Sequence, residues 1–209
     1  MKSLLLSATL LLAYAGAAVA DCSKLNSSDF LESTPWDQVI DCVEKSPEMV
    51  GRTDDRGFNL LMTAIASDIG PMQLDELFSL VPEDLADDVI EAIDLQGRSI
   101  AHIAASEALD PAFIFVLSSN GVSLSEEIDD DHNPARSGQT PLHFAAQRED
   151  GWLFVAALLA LRNEVLEDDR EKTAFDIAAS KEMIGPDTLL LAEGEWPSIF
   201  TEQFDPAQP

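Results

Sequence analysis

Basic residues are scarce in this chain: 12 Lys and Arg face 39 Asp and Glu, and the net charge is −27. So acidic a chain is repelled by phosphate backbones and anionic bilayers, which argues against nucleic acid and lipid headgroups as partners. Cysteine is rarer still, with only Cys22 and Cys42. Two thiols exclude a disulfide-dense scaffold, and no third or fourth ligand is spaced near them for zinc. Past residue 20, no apolar run approaches the roughly 20 residues that a spanning helix needs. Missing too are a glycine-rich phosphate loop ahead of a helix and a nucleophile placed beside a histidine. No enzyme and no cofactor are expected. At 46% hydrophobic residues, however, the chain is too apolar for disorder.

The one strongly apolar segment lies at the start. Lys2, the run Leu4 to Ala13 and the triplet Ala18-Val19-Ala20 read as a cleavable secretory signal over residues 1–20. A lipid anchor on Cys22 is the alternative, but acidic Asp21 stands where lipoprotein signals resemble one another in having a small residue. Soluble export, periplasmic or secreted, is therefore the expectation. Losing Lys2 leaves 11 basic residues against 39 acidic ones, hence a net charge of −28. In an exported protein, Cys22 and Cys42 are most simply read as one disulfide, with two free thiols as the alternative.

The rest of the chain repeats itself. Gly138-Gln-Thr-Pro-Leu-His-Phe-Ala-Ala146 is echoed by Gly97-Arg-Ser-Ile-Ala-His-Ile-Ala-Ala105, and more weakly by Gly57 to Ile65 and Glu171 to Ala179. The anchors Asn59, Ser99, Thr140 and Thr173 are 40, 41 and 33 residues apart. Units of this size imply a stacked array. In the best copy, Gly138 permits a tight turn, Thr140 caps a helix and Pro141 fits its first turn. Small Ala145 and Ala146 admit a close neighbour, and Trp152, Val155, Ala156, Leu158 and Leu159 recur at helical spacing up to Asn163. Thr34-Pro35 predicts a further helix through Val43. Two units run long, around Val81 to Asp88 and at Ser125 to Ser137, which predicts exposed insertions.

Thr140-Pro-Leu-His143 resembles the ankyrin-repeat signature, and the whole resembles exported bacterial ankyrin-repeat proteins over roughly residues 30 to 195. The resemblance implies an all-α solenoid of stacked helix-turn-helix units with β-turn tips, about four repeats plus an N-terminal capping helix. Residues 21–50 become the disulfide-stapled cap, 51–204 the repeat domain and 205–209 a frayed tail. Ser99, His102, Thr140, Pro141, His143 and Thr173 become structural, the histidines bonding between units. Family-like register puts the tips and the ends of the short helices on a concave ligand face. Arg56, Arg98, Arg136, Arg148, Arg170, Lys172 and Lys181 fall there, with Gln96, Gln139 and Gln147. Such a ladder is suited to a partner's carboxylates, with Phe58, Leu95 and Trp152 as apolar anchors; the alternative is that Asp54, Asp94 and Asp168 pair with it.

The resulting expectation is a monomeric protein–protein interaction module whose partner sits on the concave face and turn tips. An alternative is an inhibitor or immunity protein masking a basic toxin or enzyme, since charge of this size accelerates such an encounter. A third is a metal-binding or hydrolytic protein built on His132 and Asp129 to Asn133, where Pro134 stands against a calcium-loop reading.

Overall fold

A computed structural model describes residues 20–67, 69–129, 131–161 and 163–180. The signal segment up to Val19, Lys181, the rest of the repeat domain beyond Ser180 and the expected tail lie outside the described residues. Among the described residues the fold is all-α, with ten helices and no strand.

Helix α1 (Ser28–Ser33) begins where the Ser27 hydroxyl accepts the Phe30 N–H, and it buries Phe30 and Leu31. Helix α2 (Trp36–Lys45) has Pro35 at its N-terminal boundary; Thr34, the expected cap, instead ends α1 by donating its N–H to Phe30 O. Cys22 and Cys42 are joined, with Cα atoms 5.3 Å apart, and fasten the chain start to α2. Leu25, Val39, Val43 and Val50 fill the space beneath.

Turn–helix–helix units follow. Their first helices are α3 (Leu60–Ala66), α6 (Ile100–Glu107), α8 (Pro141–Gln147) and α10 (Ala174–Ser180). Their second helices are α4 (Pro71–Ser79), α7 (Ala112–Ser119) and α9 (Trp152–Ala160). First helices form one layer, α3 on α6, α6 on α8 and α8 on α10. Second helices form another, α4 on α7 and α7 on α9. Ala101, Ala104, Ala105, Ala145 and Ala146 are all buried, because a methyl group is what lets backbones pack this closely. The larger volumes, Phe113, Leu117, Phe154 and Leu158, fill the space between layers.

The histidines carry the stack across units. His102 Nδ1 accepts the Ser99 N–H and lies 2.9 Å from Ser99 Oγ, while Nε2 donates to Gln139 O at 3.0 Å in the next unit. His143 repeats this with Thr140 and, at 3.0 Å, Lys172 O. Asn59 takes the same role in the first unit: its Oδ1 caps the Met62 N–H and its Nδ2 donates to Val89 O at 2.8 Å. In the fourth, Thr173 and Asp176 cap one another.

Extra residues sit between units. The first excess is not an extension of α4; it forms a separate short helix, α5 (Ala86–Ile90), which buries Val89. The second is the loop from Ser125 to Ser137, which returns at Ile128, 1% exposed, whose N–H donates to Gln139 O and whose carbonyl accepts the Gly138 N–H.

Candidate functional site

Each unit opens with a tip built on an aspartate. Asp54 Oδ1 accepts the N–H groups of Arg56 and Phe58 at 2.8 and 2.9 Å, and its own N–H donates to Phe58 O. Asp94 does the same for Gln96 and Arg98, and Asp168 for Arg170 and Lys172. A residue of positive φ closes each turn: Gly57, Gly97, Gly138 and, against expectation for a side-chain-bearing residue, Glu171 at 57°. Tips also bond to one another. Leu95 N–H donates to Arg56 O at 3.0 Å and Asp169 N–H to Ser137 O at 3.3 Å, so these tips form a braced edge. A Cβ on Gly138 would stand 2.7 Å from Asp169 N, so the close approach demands glycine there.

Burial pushes the Asp54 and Asp168 carboxyls up, but the N–H donors beneath them outweigh it and hold both below the ordinary carboxylate range. For Asp54 the Arg56 guanidinium adds to that pull.

The expected arginine ladder is largely engaged within the molecule. Arg56 Nε–H donates to Asp54 Oδ2 at 2.8 Å, and its guanidinium lies 4.0 Å from the Phe58 ring centroid. Arg98 bonds Asp94 and Glu107, both at 2.8 Å, with its side chain only 13% exposed. Arg148 grips Asp150 with two bonds of 2.9 Å, donates to Ala108 O at 2.7 Å and lies 4.3 Å over Phe154. Arg170 donates to Ala135 O at 2.8 Å. Arg136 rests 4.6 Å over Phe144, half-buried, and burial with the nearby Arg98 charge draws it below the ordinary guanidinium value. Lys172 is exposed, and Lys181 lies outside the described residues.

Two expected contact residues are corrected by burial. Phe58 is 0% exposed, because two guanidiniums cover its ring and it wedges under the tip. Gln139 is 7% exposed, its side chain donating to Asp168 and accepting from Gln147. Gln96 and Leu95 are exposed, Leu95 by 75%, beside exposed Asp55, Arg56, Asp169 and Arg170. The braced edge therefore presents mixed charge around one large aliphatic side chain.

The Ser99–His102 and Thr140–His143 contacts have the reach of a nucleophile and base, but not the role. Each Nδ1 lone pair is already committed to the cap N–H, and all four side chains are buried. Burial, opposed only in part by the bond to Gln139 O, holds the His102 pKa down to about 4.

Under the second insertion, Glu91, Glu126, Glu127, Asp129, His132 and Ile93 border a cleft of about 450 Å³. Burial first, then the charges of Glu91 and Asp129, raise the Glu126 carboxyl, although a bond from Ser99 lowers it in part. Among the described residues, no three His, Cys, Asp or Glu side chains converge as metal ligands.

Sequence reasoning missed the reach of Arg148 to a carbonyl 40 residues upstream, and the exposure of Met72 and Leu109. The only available signal for the latter was an apolar residue inside an acidic junction. The chain matches no family model, and a search of curated proteins finds no match.

Proposed function

We propose that this chain is an exported ankyrin-repeat module that binds a partner protein through its braced tips and the adjoining first-helix face. The observation that carries the reading is the bracing itself. Tip-to-tip bonds and inter-unit histidines fix Asp55, Arg56, Leu95, Gln96, Asp169 and Arg170 at one edge, at no further cost in ordering when a partner arrives. A stapled N-terminus suits the oxidising compartment that the leader implies. No helix among the described residues is long and apolar enough to cross a membrane.

One observation favours the inhibitor or immunity reading as a form of this function. Arg56, Arg98 and Arg148 are already paired with carboxylates, so few cations remain to offset the acidic surface, and a basic partner is the one it attracts. Affinity capture from periplasmic and secreted fractions tests both forms. Wild-type protein should retain a basic partner that Leu95→Asp with Gln96→Ala loses, with an association rate that falls steeply as salt rises. Capture that is indifferent to these substitutions refutes binding at the tips; a rate indifferent to salt refutes the masking of a basic partner.

A further inference from the structure

The exposed large apolar side chains are not scattered. Ile93, Leu95 and Val165 lie in or next to the segments leading to the tips. The other three, Met72 at 84%, Leu109 at 65% and Trp152 at 40% exposure, occupy the junction between first and second helix in three successive units. The junctions are adjacent in space. The second helices α4, α7 and α9 pack in sequence, and Arg148 beside Trp152 donates to the carbonyl of Ala108 beside Leu109. Packed helices stand about 8–10 Å apart, so Met72, Leu109 and Trp152 form a stripe with that repeat.

The stripe has an acidic border. Glu107, Asp110 and Glu149 are exposed beside it, and the only cation at the junctions, Arg148, is spent on Asp150 and backbone carbonyls. Single exposed apolar residues need no account, but a periodic row with a charged border marks an interaction surface. A second copy of this chain would bring like charges together, which disfavours it. We propose that this helix-junction edge binds a cationic amphipathic helix, on a surface separate from the tips and independent of their reading. A helix rises about 1.5 Å per residue, so apolar residues seven apart are spaced about 10 Å, matching the stripe. Basic residues beside them would face Glu107, Asp110 and Glu149.

The probe is a labelled 21-residue helical peptide with leucines at every seventh position flanked by lysines, beside a twin with glutamates replacing the lysines. Fluorescence anisotropy with the disulfide-intact mature chain should show saturable binding of the basic peptide alone, weaker at high salt. The triple variant Met72→Ser, Leu109→Ser, Trp152→Ser should bind at least about tenfold more weakly. Leu109→Ser alone, in a loop, preserves folding and should weaken binding about threefold. Leu95→Ser should bind as wild type does, which separates this edge from the tips. Equal binding by Leu109→Ser and wild type, equal binding of the acidic twin, or no saturation up to about 1 mM would overturn the proposal. So would self-association that Leu109→Ser abolishes, since the stripe would then serve a second copy.

Discussion

His102 sets the acid limit of this fold. The ring is 0% exposed and neutral when folded, with a pKa of about 4 against 6.5 for the free side chain. Because the folded value is the lower one, the unfolded chain binds the extra proton between these limits, and stability falls as pH drops. The contribution is fully present above pH 6.5 and lost on descending to about 4. That gap of about 2.5 pH units corresponds to about 3 kcal/mol. Urea unfolding of wild type and His102→Gln from pH 7.5 to 4 isolates it, because both share the titrating carboxylates. The variant should be less stable at pH 7.5, having lost the bond to Gln139 O. The stability difference should then shrink by about 3 kcal/mol toward pH 4. A ring-proton titration by NMR should place the midpoint near 4. A pH-independent difference, or a midpoint near 6.5, would refute the reasoning.

Three further perturbations follow from the same structure. Cys22→Ser with Cys42→Ser opens a loop spanning 20 positions and should cost about 3 kcal/mol, read as a lower urea midpoint with the cap unfolding first. Arg148→Ala, which strips the charged bonds to Asp150 and Ala108 O, should cost about 2 kcal/mol, read as a Tm lower by about 4–8 °C. Glu171→Gly, at a residue held at φ 57°, should gain about 1 kcal/mol, read as a higher Tm.

The helices were legible where local chemistry decides them. Thr140-Pro141 and Ser99 announce the starts of α8 and α6 because a cap hydroxyl and a first-turn proline act within four residues. The cysteine pair was legible because only one pairing exists. What could not be read is where long side chains go. Arg98 and Arg148 sit at register positions that face a ligand by analogy, yet a carboxylate within reach and a buried ring beneath capture each guanidinium locally. The partner of a cation is set by three-dimensional proximity, of which the repeat period carries only a part. Phe58 misled similarly, since a residue beside a turn tip looks exposed until the neighbouring unit closes over it. The short helix α1 was missed because Ser27, Ser28 and Asp29 read as loop, although Ser27 is in fact its cap.

The acidic insertion shows how a surface loop can also be structural. Ile128 anchors it at 1% exposure and closes the tip through Gln139 O and the Gly138 N–H. Deleting Glu126 to Asn133 would discard that side chain, whose burial contributes about 2–3 kcal/mol, along with both bonds. The deletion should therefore lower Tm by several degrees whether or not the loop binds anything. Neutralising it should act the other way. The Glu126 pKa is raised in the folded chain, by burial and by Glu91 and Asp129, so its ionisation opposes folding as pH rises. Glu126→Gln with Asp129→Asn keeps Ile128 and should raise Tm at pH 7, the gain fading as pH falls and the wild-type carboxyls protonate. A neutralised loop that melts no higher than wild type would mean the crowded carboxylates are relieved in another way, and the repulsion inferred for the cleft would be wrong.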